Sequence, residues 1–103
     1  MARAIIGGQA AVSTTARSVS TLLSLSPGRD LRKLTIKNAG ASANKVYLGD
    51  SDVTSTPENA HVELSADQAY EYWSSESHRV NTDDVFVVGV AGAANIVFIN
   101  GVF

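Results

Sequence analysis

The chain contains no cysteine. That excludes a disulfide framework, a thiolate metal site and a thiol nucleophile. Charge is scarce, at 17% of the 103 residues against roughly 25% in soluble domains. No apolar run approaches the ~18 residues of a membrane span, and the strongest, near the C-terminus, is interrupted by Gly and Asn. The first eight residues carry one basic side chain and a tiny apolar core, a poor match to a signal peptide. No aromatic residue precedes Tyr47, and only two histidines occur. A membrane protein, a disulfide-rich scaffold and a zinc finger are therefore not expected.

The hydrophobic fraction of 45% is that of a globular chain, and the length suits one small domain. The net charge of −2 hides an asymmetry. Residues 1–45 hold seven bases and one acid, for +6, and residues 46–103 hold one base and nine acids, for −8. Nucleic-acid domains usually cluster their bases with aromatics under an overall basic balance. This chain does neither, so neither nucleic acid nor membrane is an expected partner. Two readings of the asymmetry remain. Basic and acidic strands pair inside one sheet system, or a basic face of one copy meets an acidic face of a neighbour.

Period-2 alternation dominates the pattern. It predicts strands over residues 17–25, 31–38, 45–49, 60–64, 69–73, 84–91 and 96–103, with a short apolar segment at 1–6. Leu34, Ile36, Val46 and Leu48 are expected to face inward. Residues 84–91 are nearly all apolar and read as a strand buried on both faces. Turn chemistry stands at Ser26-Pro27-Gly28 and at Ser65-Ala66-Asp67-Gln68, the latter read as a hairpin connection. The Ser, Thr and Val content of residues 14–25 argues against a helix there. The fold class expected is all-β: an antiparallel, jelly-roll-like β-sandwich of about eight short strands. Residues 1–16 are expected as an N-terminal arm and 17–103 as a single β-sandwich domain. The apolar C-terminal strand is either central in a sheet or at a subunit contact, since an uncovered one is an aggregation hazard.

Chemistry is sparse. Asp50, Asp52 and Thr54 faintly resemble the start of a calcium loop, but Ser55 stands where its glycine belongs and His61 where its glutamate belongs. Ser74, Glu76 and His78 lie too close together in one loop for triad geometry, which draws on separated segments. No nucleophile elbow, dinucleotide fingerprint or phosphate loop occurs. No catalytic residue, cofactor site or metal site is expected, and the chain is read as not an enzyme. Tyr70 and Tyr72 are read as core residues, and Trp73 as core-closing or interfacial.

Leu34-Thr35-Ile36-Lys37-Asn38, followed by Val46-Tyr47-Leu48-Gly49 and then Val53-Thr54, resembles small all-β structural proteins of tailed bacteriophages. Those proteins carry an L-x-I-x-N strand and then V-Y-L-G-x-x-x-V-T. A later hairpin before an aromatic strand, here residues 62–72, and a terminal hairpin, here 85–103, extend the similarity to about two-thirds of the chain. The loop after Val53 departs, with Pro57-Glu58-Asn59 in place of a glycine-rich turn. The resemblance implies a virion component, most directly a capsid decoration or cement protein. It would sit on the capsid surface as a homotrimer bound to the major capsid protein, after assembly in the host cytoplasm, where a cysteine-free chain is at home. Alternatives are a tail, head-fibre or adaptor component, or a carbohydrate-binding module that uses Tyr70, Tyr72 or Trp73. For decoration, Arg3, Ile5 and Ile6 are expected to anchor the arm on a neighbour. Arg29, Arg32 and Lys33 are expected to face an acidic partner, with Trp73 at the interface.

Overall fold

The structure is a computed structural model that describes residues 5–25, 28–39, 45–54, 59–65, 67–75, 77, 79–89 and 95–102. Its strands are β1 (Ile5–Val12), β2 (Arg17–Ser18), β3 (Asp30–Leu31), β4 (Lys33–Asn38) and β5 (Val46–Gly49) in the first half. They continue with β6 (Ala60–Leu64), β7 (Ala69–Trp73), β8 (Val80–Asn81), β9 (Phe86–Gly89) and β10 (Asn95–Val102). One helical turn, α1 (Val19–Leu22), follows β2.

Two four-stranded antiparallel sheets form, ordered β1-β10-β4-β7 and β2-β9-β5-β6, with β3 and β8 as a separate short pair. Leaving that pair aside, eight strands remain. In chain order the first pairs with the eighth, the second with the seventh, the third with the sixth and the fourth with the fifth. This is one long hairpin wrapped into two facing sheets, the jelly-roll arrangement of an all-β sandwich.

Alternation explains the packing. Leu34 and Ile36 of β4, Val97 and Ile99 of β10, Val46 and Leu48 of β5, Leu64 of β6 and Val87 of β9 share the core between the sheets. All are buried, as the inward pattern of β4 and β5 requires. Strand β5 is buried on both sides because Tyr47, Val53 and Val88 form a second cluster, against which Ala16, Ala60 and Phe86 pack. The expectation for residues 84–91 holds over β9, whose last three residues are buried. Strand β10 lies between β1 and β4, so the apolar C-terminal run is central in its sheet.

Four expectations change. First, Ile5–Val12 is not part of a free arm. Eight register pairs bind it to β10, and Ala10 and Val12 enter the core. Backbone pairing needs no bulky side chain, so the small residues there form an edge strand.

Second, the strand expected at 17–25 ends at Ser18, whose hydroxyl accepts the Thr21 N–H at 3.1 Å and caps α1. Serine's taste for backbone partners disfavours helix interiors and favours helix starts.

Third, Ser65 and Gln68 do close a tight turn. Asp67 adopts φ 65°, and Ser65 and Gln68 exchange hydrogen bonds of 2.9 and 3.0 Å. Yet β6 and β7 belong to different sheets, so the turn is a crossover and not a hairpin.

Fourth, β9 and β10 also lie in different sheets, so residues 85–103 are not a terminal hairpin.

Buried Asn38 secures the crossover: its side-chain amide donates to the Leu64 carbonyl at 3.1 Å, and its backbone carbonyl accepts the Asp67 N–H at 2.8 Å. At the α1 end of the sandwich, buried Thr82 plays a similar part. Its hydroxyl accepts from Ser20 Oγ at 2.7 Å and from the Arg29 N–H at 2.8 Å.

Candidate functional site

Two features of the surface carry chemistry. The first is the outer face of the β1-β10-β4-β7 sheet, set by strand register. Gln9, Phe98, Lys37 and Ala69 form one row across it. Val102, Lys33 and Trp73 form another, with Asn100, Thr35 and Glu71 between. Cross-strand partners share a face, so Trp73 and Phe98, 65% and 43% exposed, stand on the same side of the sheet. Lys33 Nζ lies 2.6 Å from the Glu71 carboxylate and 5.0 Å from the centre of the Trp73 ring. The ion pair and the cation–π contact hold the lysine over the aromatic face.

Beside Trp73, a shallow groove of about 410 Å³ is lined by Arg32, Ser74, Ser75 and Arg79. Arg32 and Arg79 are exposed and form no ion pair among the described residues. The groove is positively charged beside an indole.

The second feature is a cleft of about 250 Å³ between the edges β6 and β7, floored by Val80 and Val85. Asp50 and His61 face it 3.6 Å apart, and Arg79, Asn81 and Asp84 line it. Tyr72 enters from the inner face of β7, and its ring meets Tyr70 edge-on at 4.9 Å. The Tyr72 hydroxyl oxygen is buried and has no hydrogen-bond partner among the described residues. Burial pushes its pKa up to about 12, with the neighbouring Tyr70 and the Asp50 carboxylate adding to the shift.

The expected site residues distribute unevenly. Arg32, Lys33 and Trp73 come together, and the backbone of Ile5 pairs with Val102. Arg29 is exposed but turned to Thr82 through its backbone. Ile6 pairs with Gly101 in the same sheet. Arg3 lies outside the described residues, as do Glu76 and His78 of the polar loop. Ser74 of that loop serves the fold, since its hydroxyl donates to the Leu31 carbonyl and accepts the Val80 N–H at 2.7 Å. The carboxylate of Asp50 faces His61, beside which sequence alone did not place it. Tyr72 packs partly against the core, whereas Tyr70 on the same side is 40% exposed because β7 is an edge.

The charge asymmetry is partly internal. Lys33 pairs with Glu71, and Lys45 with Glu63 at 2.8 Å, joining the basic first half to the acidic second. Its Glu63 partner, by hydrogen bond and then by charge, raises the Lys45 pKa. Sequence reasoning missed Arg79, Phe98 and the whole cleft, whose residues lie far apart in the chain. The one signal was the odd base in an acidic half, Arg79. Neither a protein-family model nor a curated protein matches the chain.

Proposed function

We propose that the chain is a non-enzymatic structural protein of a tailed-bacteriophage virion, a capsid decoration subunit. It docks as a trimer on the outer shell and clamps neighbouring copies of the major capsid protein. The observation that carries this reading is the Trp73–Lys33 face beside Arg32 and Arg79, which form no ion pair among the described residues. Tryptophan and arginine are the residue types that dominate binding hot spots, and a cationic groove selects an acidic segment of the partner. The jelly roll supports the same reading, since viral capsid domains use it repeatedly. Weak contacts of this kind sum through several copies on one shell.

Light scattering comes first, and a trimer is the expected mass. Co-sedimentation with capsids assembled without the protein follows. Saturable binding to heads is expected, weakened about tenfold by Arg32→Glu or Trp73→Ala and weakened further as salt rises. Binding to tails and not heads would replace decoration with a tail component. Failure to bind either would remove the virion reading.

A further inference from the structure

We infer that the cleft between β6 and β7 is a binding site for one neutral sugar ring, with Tyr72, Asp84 and Arg79 as its principal polar contacts. The site shares Arg79 with the docking groove and otherwise differs from it. Trp73 projects from the outer side of β7, and Tyr72 from the inner side.

Size sets the first limit. A volume of about 250 Å³ has room for one sugar ring.

Polarity sets the second. Carboxylates from Asp50 and Asp84 accept, the Arg79 guanidinium donates, and the Tyr72 hydroxyl does both. Acids disfavour an anion and the arginine disfavours a cation. Vicinal hydroxyls, which donate and accept in pairs, suit all four. No group of three or more acidic or histidine side chains placed to hold a metal occurs among the described residues. Val80 and Val85 give the C–H face of a ring an apolar floor.

The third argument is the orphaned hydroxyl. Leaving a buried O–H unpaired is costly, and an unpaired one in a native fold points to a missing partner. Asn81 is held elsewhere, its amide donating to Asp30 at 2.8 Å and its carbonyl accepting the Asp83 N–H at 2.8 Å, and it makes no hydrogen bond to Tyr72. Tyr72 is protonated across the neutral range, as any tyrosine is, so it is able to donate.

The test is a nitrogen-resolved NMR titration of the full chain with the methyl glycosides of glucose, galactose, mannose and N-acetylglucosamine. One of them is expected to saturate, with shifts confined to residues 49–50, 61, 72 and 79–85. Tyr72→Phe and Asp84→Asn should each weaken that affinity about tenfold. Trp73→Ala should leave it unchanged. Tyr72→Phe should also melt no lower than the parent chain, since the hydroxyl it removes bonds nothing within the fold. No saturable shift with any of the four sugars, shifts scattered over the sheets, or undiminished binding by Tyr72→Phe would overturn the assignment. So would a lower melting temperature for Tyr72→Phe, which would give the hydroxyl an internal partner.

Discussion

Replacing Asn38 with alanine is expected to destabilise the sandwich more than any exposed substitution. Asn38 is fully buried at the end of β4, and its side chain reaches the Leu64 carbonyl on the facing sheet. Truncation removes that donor from a carbonyl in the dry interior, a loss of about 1–3 kcal/mol. The missing amide also leaves a small void, which adds about 1 kcal/mol. Together the loss comes to about 2–4 kcal/mol, a large share of the ~5–15 kcal/mol of a typical domain. Urea unfolding followed by far-ultraviolet circular dichroism measures it, and the slope with denaturant should stay constant. Asn38→Asp is the sharper control. It keeps the volume but replaces the donor with an acceptor, so at neutral pH it should lose at least as much. A loss below about 0.5 kcal/mol for both variants, the range of surface changes, would refute the reasoning that this amide ties the crossover together.

Two further outcomes follow from the geometry. Gly49→Ala should cost about 1–3 kcal/mol in the same unfolding assay, since an added Cβ would meet the Asn59 carbonyl oxygen at 2.8 Å and Val53 Cβ at 3.0 Å; an unchanged midpoint would show that the β-bulge there relaxes freely. Tyr72 loses its proton at pH 10.0 when unfolded and at about 12 when folded. Its contribution is therefore complete below pH 10.0 and is lost as pH rises through about 12. The shift amounts to about 1–2 kcal/mol once the partial exposure of the ring is allowed for, and an alkaline limb of the stability profile that is identical in Tyr72→Phe would contradict it.

The sequence made the strand cores legible and left the pairing hidden. Leu34 and Ile36 alternate with Lys33, Thr35 and Lys37, and a half-buried strand admits little else. Residues 46–49 showed only two inward positions, because the cover over Tyr47 comes from Val53 and Val88, which lie outside the strand. The connections were harder. A four-residue turn bounded by strands looks the same whether the strands pair or diverge into facing sheets. Only the buried Asn38, which ties Leu64 and Asp67 to β4, decides between them. Ser18 misled for a related reason: a residue poor inside a helix is good at its start, and the sequence signal for both is the same serine. Lys33 and Trp73 were expected at an interface separately, and register made them neighbours. The cleft was invisible because Asp50, His61, Tyr72 and Arg79 come from different strands and loops, and no spacing rule links them.

Nested pairing also orders the closing of the chain. Strands β5 and β6 are separated by one loop, while β1 and β10 span nearly the whole described length. Loop-closure entropy grows with the length enclosed, so each outer pair is cheap only after the pair inside it has shortened the effective loop. The sandwich is therefore expected to zip from its middle outward, and a topology so rich in distant partners is expected among the slow folders. Strand β1 has β10 as its sole sheet neighbour. Its eight-pair ladder with β10 is the longest among the described residues, and β1 is expected to join last and leave first.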